Sequence, residues 1–277
     1  MNSVATLEPA VKWKSTRLTG SLGAELVGVD INTFTKDDAR SLDELIAQHH
    51  VLLFRKQSVN NEQLQQFGAL LGDLKKFAYT DRTADATGSV SVLDNSPLHA
   101  VSALWHTDAP ANEHPPCYTI LAERKIPEAG GDTLFANQHL AFESLSEGFK
   151  NLLRGLKAVH FYEYGGGLGS KTQAHPAVRV HPISKREALY IDPLSVKSFE
   201  GMTEEESRPL LKFIFERAVD DDFGYRHRWE KGDVIMWDNR SVMHRSTHDY
   251  GSDPQARLMN NVQSRPEQVY GPGSFGV

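Results

Sequence analysis

Trp105-His106-Thr107-Asp108-Ala109-Pro110, then Pro115-Pro116, then the apolar run Cys117-Tyr118-Thr119-Ile120-Leu121, reads as a proline-marked loop feeding a strand. The loop carries a histidine and an aspartate at a spacing of two. On extended backbone that spacing turns both side chains to one face, where they can close on a single metal ion. One further imidazole completes three donors on one face of an octahedron and leaves the opposite face open, an arrangement suited to non-haem Fe(II). His244, 136 positions after Asp108, is the candidate, and Arg257 follows thirteen residues later. The dyad alone carries no information. With 12 His and 36 acidic residues in 277 positions, chance supplies about 1.6 His-x-Asp/Glu pairs when matches are counted. The weight therefore falls on the surrounding pattern.

Strand signals are short and scattered, at 51–54, 89–94, 117–123, 132–136, 177–181, 188–192, 225–229, 233–237 and 257–263. Helical periodicity appears at 36–50, at 60–72 with an Asn60/Gln63 capping box, and at 203–219 with a Thr203/Glu206 box. The apolar stripes of these helices read as packing faces. Short strands separated by long insertions, with a few helices outside them, point to a mainly β fold with helical cover, a double-sheet jelly roll.

Composition bounds the rest. A length of 277 with 39% hydrophobic residues is enough for one sizeable core. No repeat, low-complexity tract or linker interrupts the chain, so residues 1–277 read as one domain. The single cysteine, Cys117, excludes a disulfide framework and fits a reducing compartment. Residues 1–16 lack the apolar segment of a leader, no stretch approaches a membrane span, and the cytoplasm is the expected location. A formal net charge of -6 argues against a nucleic-acid partner. Homo-oligomerisation is left open.

Further motifs stand in order around the dyad: Gly20-Ser21-Leu22-Gly23-Ala24-Glu25 near the start, Gly130-Gly131-Asp132-Thr133-Leu134-Phe135, and Gly232-Asp233-Val234-Ile235-Met236-Trp237-Asp238-Asn239 before His244. In these motifs the chain resembles the taurine and 2,4-dichlorophenoxyacetate dioxygenases, which depend on Fe(II) and 2-oxoglutarate. The resemblance runs from Gly20 to Arg257. It implies a double-stranded β-helix with the metal inside the mouth of the roll, and His106, Asp108 and His244 as ligands and catalytic centre. The implied reaction consumes O2 and 2-oxoglutarate, releases succinate and CO2, and oxidises a substrate C–H bond, most simply by hydroxylation.

The resemblance also assigns Arg257 and Thr133 to the far carboxylate of 2-oxoglutarate. The residues agree, because a guanidinium buried in a strand needs an anionic partner and can bind a carboxylate at two points. Arg240 and Arg245, beside His244, are the competing arginines. Trp237 reads as packing behind the ligand strand. The other histidines read as surface or hydrogen-bonded residues, with His248 the next candidate ligand.

Substrate recognition departs from the family. Its taurine enzyme holds the sulfonate with a second arginine four residues beyond the first, and Asn261 stands at that position here. A small, carboxylate-bearing organic molecule is expected in place of taurine, against a wall of Phe77, Tyr79, Ser102 and Asn261. Lys75 and Lys76 read as solvated, with one of them able to attract an anion. The glycines at 165–169 read as a surface turn or a substrate lid, since no Lys-Ser/Thr pair of a phosphate loop closes them. Two other classes use similar residues: a cupin-like metal-dependent isomerase or hydrolase, and a noncatalytic jelly-roll sensor.

Overall fold

Val234-Ile235-Met236-Trp237 shows how the sheet is built. Val234 and Met236 enter one core with Leu52, Phe54, Ile120 and Val262, while Ile235 and Trp237 enter a second with Val51, Leu121 and Met259. Neighbouring residues of a strand point to opposite faces, so a sheet covered on both sides reads as an unbroken apolar run. The structure is a computed structural model that describes residues 12–77, 87–94, 102–163, 169–251, 253 and 256–275.

The strand is the central one of a seven-stranded sheet ordered Ser15–Arg17, Ala24–Leu26, Val51–Phe54, Val234–Asp238, Pro116–Lys125, Leu258–Pro266, Ser91–Leu93. All neighbours are antiparallel except Ala24–Leu26 against Val51–Phe54. A smaller sheet, ordered Gly224–His227, Thr133–Asn137, Val242–Ser246, contributes Phe135 and Val242 to the second core. The two sheets therefore face one another across that core, as a jelly roll requires. Helices Ala39–His49 and Asn61–Leu70 cover the outer face of the large sheet with Leu42, Ile46, Leu64 and Phe67. A third core lies among Gln138–Glu143, Glu147–Arg154, Glu204–Ala218 and the strands Lys157–Glu163, Val178–Val180 and Val196–Phe199.

Both expected capping boxes are present, Asn60 with Gln63 and Thr203 with Glu206. All nine expected strands exist, Val51–Phe54 with the expected ends and the other eight with shifted ones. Six more were not expected: Ser15–Arg17, Ala24–Leu26, Lys157–Glu163, Ser170–Pro176, Val196–Phe199 and Val242–Ser246. The first two are three residues long, too short for a period to register. Ser170–Pro176 is mostly polar and half exposed, and Val242–Ser246 carries His and Arg where a buried strand normally carries apolar residues. Helices Gln138–Glu143 and Glu147–Arg154, of 6 and 8 residues, escape for the same reason of length. Tyr79, His99 and the expected lid at 164–168 lie outside the described residues.

One crossing matters for the site. The chain leaves the large sheet at Asp238, turns, and enters the small sheet at Val242. Asp238 locks the turn: it accepts hydrogen bonds from the Arg240 backbone N–H and Nε at 2.8 and 2.9 Å through Oδ1, and from Arg240 Nη2 and His181 Nε2 at 2.8 and 3.0 Å through Oδ2. Burial pushes the Asp238 carboxyl up, but Arg240 and His181 outweigh it and hold it well below the usual range.

Candidate active site

His244 lies in the middle of Val242–Ser246, directly opposite Phe135 of the neighbouring strand. On its other side it makes an isolated antiparallel bridge with His106: each backbone N–H donates to the other's carbonyl, at 3.0 and 2.9 Å. That bridge brings together residues 138 apart in the chain. His106 and Asp108 meet on one side as the spacing of two requires, and a bend begins at Asp108, where Ala109 takes a left-handed φ of 47°.

The result is one donor cluster. The ligand-type atoms of His106, Asp108 and His244 all lie within 4.8 Å of one another. Asp108 Oδ1 is 4.0 Å from His106 Nε2 and 3.8 Å from His244 Nε2, and the ring centres are 4.3 Å apart. His106 Nδ1 stands 2.7 Å from the Leu104 carbonyl, which can only accept, so Nδ1 carries a proton and Nε2 is the ring nitrogen that faces Asp108. Burial, then His106, lower His244 to about 3, so its imidazole is neutral at physiological pH. Burial pushes the Asp108 carboxyl up, but His244, His106, the Thr119 hydroxyl and Lys75 outweigh it and leave it ionised. A neutral His244 imidazole and an ionised Asp108 carboxylate are the protonation states that metal ligation demands. His244 Nδ1 is buried without a hydrogen-bond partner among the described residues.

Asp108 is aimed by a chain of hydrogen bonds. Trp237 Nε1–H donates to Asn239 Oδ1 at 3.0 Å, Asn239 Nδ2–H to Thr119 Oγ1 at 2.9 Å, and Thr119 Oγ1–H to Asp108 Oδ2 at 2.5 Å. Trp237 also packs against the His244 ring, with centres 4.5 Å apart. It thus bonds as well as packs. Thr119 went unnoticed in the sequence, although a hydroxyl inside the apolar run 117–121 was a legible signal.

The second feature is Arg257, 5% exposed. Its Nε donates to the Gly131 carbonyl at 2.9 Å and its Nη2 to Thr133 Oγ1 at 3.3 Å, and among the described residues it has no ion pair with a carboxylate. Asp132, the acidic neighbour, is taken by Arg226 at 2.6 Å. Burial lowers Arg257 to about 10, which leaves it charged. Thr133 Oγ1 also accepts from Trp229 Nε1 at 3.1 Å, so its acceptor capacity is used and its own proton points elsewhere. A buried guanidinium beside a donating hydroxyl is a receptor for a carboxylate. The rival Arg240, 1% exposed, is bound to Asp238 and Glu267, and Arg245 lies 5.5 Å from the Trp105 ring centre.

Of the expected substrate wall, Ser102 reaches the ligand strand: its Oγ is 2.7 Å from Ser246 Oγ and 3.2 Å from His248 Nε2. Asn261 is buried with Nδ2 on Ser91 Oγ at 3.2 Å, and Phe77 lies beside the Lys75 ammonium. His248 thus bonds serines and is outside the donor cluster.

The sequence profile described as "Taurine catabolism dioxygenase TauD, TfdA family" matches residues 14–263. The chain belongs to this family. It is 30% identical to an alkylsulfatase of Acinetobacter baylyi, over 95% of this chain and 88% of that protein. It is 30% identical to the alpha-ketoglutarate-dependent 2,4-dichlorophenoxyacetate dioxygenase of a Burkholderia species, over 75% and 80%. A solved taurine dioxygenase from Burkholderia xenovorans superposes with a TM-score of 0.85 at 31% identity, covering 95% of this chain and 92% of that one. As a member, the chain is a 2-oxoglutarate-dependent dioxygenase of jelly-roll fold that uses Fe(II), 2-oxoglutarate and O2. The isomerase, hydrolase and sensor alternatives are thereby set aside. Among the described residues no helix is long and apolar enough to cross a membrane.

Proposed function

We propose that His106, Asp108 and His244 hold the iron, that Arg257 and Thr133 hold the far carboxylate of 2-oxoglutarate, and that residues 1–277 act as one catalytic domain. The reaction oxidises a C–H bond of a small acid other than taurine and releases succinate and CO2. Bound iron, 2-oxoglutarate and O2 supply the oxidising power. This chain supplies placement: the Thr119 bond orients Asp108, the Leu104 carbonyl fixes the His106 tautomer, and Arg257 sets the direction of the co-substrate. The observation that carries the reading is the convergence of three metal-type donors from two distant segments, together with a buried arginine that has no carboxylate partner among the described residues. Phe77, Tyr79, Ser102 and Asn261 are proposed to contact the substrate.

The test is a screen of small carboxylates, aryloxy acids, sulfonates and sulfate esters for substrate-dependent succinate release, run beside His244→Ala. The wild-type protein should respond to at least one acid and the variant to none. Undiminished turnover in His244→Ala would overturn the ligand assignment, and efficient oxidation of taurine would overturn the substrate reading.

A further inference from the structure

Arg226 lies in Gly224–His227, where it pairs with Leu134 while His227 pairs with Thr133. Side chains alternate along a strand, so Asp132, just ahead of Thr133, leaves on the face of Arg226, and Thr133 turns its hydroxyl to Arg257. Arg226 grips this turn twice. Its Nε donates to Asp132 Oδ2 at 2.6 Å, and its Nη2 lies 3.6 Å from Asp249 Oδ2. Asp249 Oδ1 accepts the Gly131 N–H at 2.9 Å, and the Gly131 carbonyl accepts from Arg257 Nε, also at 2.9 Å. Asp132 is 6% exposed. Besides burial, the Tyr250 phenol and Asp132 are the groups that act on the Arg257 charge, and of the two only Asp132 is a carboxylate.

We propose that Arg226 is a positioning residue for co-substrate selection: it holds Asp132 away from Arg257, so that the buried guanidinium stays open to the far carboxylate of 2-oxoglutarate. This deepens the proposed function and rests on it. A buried carboxylate has to be paired. Without Arg226, Asp132 has Arg257 within electrostatic reach, and the two charges would neutralise each other. An acid tethered to the same turn competes with dissolved co-substrate at an effective concentration on the order of millimolar. Arg226 is itself half exposed, so it can take up the Asp132 charge while its own far side stays solvated. Asp249 adds the second tie. It joins Arg226 to Gly131, whose carbonyl aims Arg257, so the residue that removes the competing acid also steadies the receptor.

The experiment measures equilibrium binding of two 2-oxo acids to oxygen-free protein loaded with Fe(II), using calorimetry. One is 2-oxoglutarate, and the other is 2-oxopentanoate, which has a methyl group in place of the far carboxylate. The wild-type protein should prefer 2-oxoglutarate. Arg226→Gln should cut that preference about tenfold, within the range of couplings inside one ion-pair network, and leave 2-oxopentanoate binding unchanged. Adding Asp132→Asn to Arg226→Gln should restore the preference, because the amide carries no charge to neutralise Arg257, whereas a purely structural role for Arg226 predicts no rescue. Asp132→Asn alone should keep the wild-type preference or exceed it. A preference unchanged in Arg226→Gln, a double variant no better than Arg226→Gln, or a loss in Asp132→Asn alone overturns the proposal. A wild type that binds no 2-oxoglutarate with Fe(II), or does not prefer it, overturns the proposed function instead, so the two failures are distinguishable.

Discussion

Arg257 shows what one residue reveals when its partners are counted. A buried guanidinium bonded, among the described residues, only to a carbonyl and a hydroxyl bears a desolvation cost that a ligand carboxylate would offset. Losing one partner of such a pair costs about 2–5 kcal/mol. Arg257→Ala should therefore raise the 2-oxoglutarate concentration needed for half-maximal turnover by at least an order of magnitude, about the lower end of that range. Arg257→Lys should recover only part of the loss, because an ammonium cannot make the two-point contact. Steady-state kinetics in 2-oxoglutarate checks both. An unchanged requirement in the Ala variant would remove Arg257 from the co-substrate site. The sequence pointed to this arginine through resemblance, while the absence of an acidic partner could be seen only after folding.

At the scale of elements, the turn before Thr133 shapes the proposed 2-oxoglutarate site. Gly130 and Gly131 both have left-handed φ, 80° and 71°. A Cβ at Gly131 would come within 3.1 Å of Arg257 Cδ and Pro127 Cγ and 3.2 Å of Tyr250 Cδ1. Gly131→Ala should thus destabilise the fold by about 1–3 kcal/mol through backbone strain and displace Arg257. The expected signature is a weaker 2-oxoglutarate affinity with Fe(II) binding retained, read by denaturant unfolding and by titration of each ligand separately. Equal loss of both ligands would show that the turn supports the whole site and not the arginine alone. Here the Gly-Gly pair was legible as a turn, but its contact with Arg257, 126 positions away, was not.

For the whole molecule, buried neutral histidines tie stability to pH. Burial, partly offset by Asp238, lowers His50 to about 3, and burial lowers His175 to about 4. Unfolded, both take a proton near 6.5. Between these limits the unfolded chain binds more protons, so stability is greatest above about pH 6.5 and falls as pH falls, by up to about 1.4 kcal/mol per pH unit for each histidine. Metal-free protein should show a lower denaturant midpoint at about pH 5 than at about pH 7.5, with a shallower dependence in His50→Asn. A flat profile would contradict the assignment.

The chain by itself determined the periodic helices, their capping boxes, the long buried strands and the identity of the donors. These are local signals, set by side-chain alternation and by hydrogen bonds that span three residues. Only the tertiary structure decided how the donors meet. The His106–His244 bridge and the Arg257–Gly131 contact join segments far apart in sequence. No local pattern encodes such contacts, because each depends on two sheets packing across one core and on the chain crossing between them, as it does at Asp238.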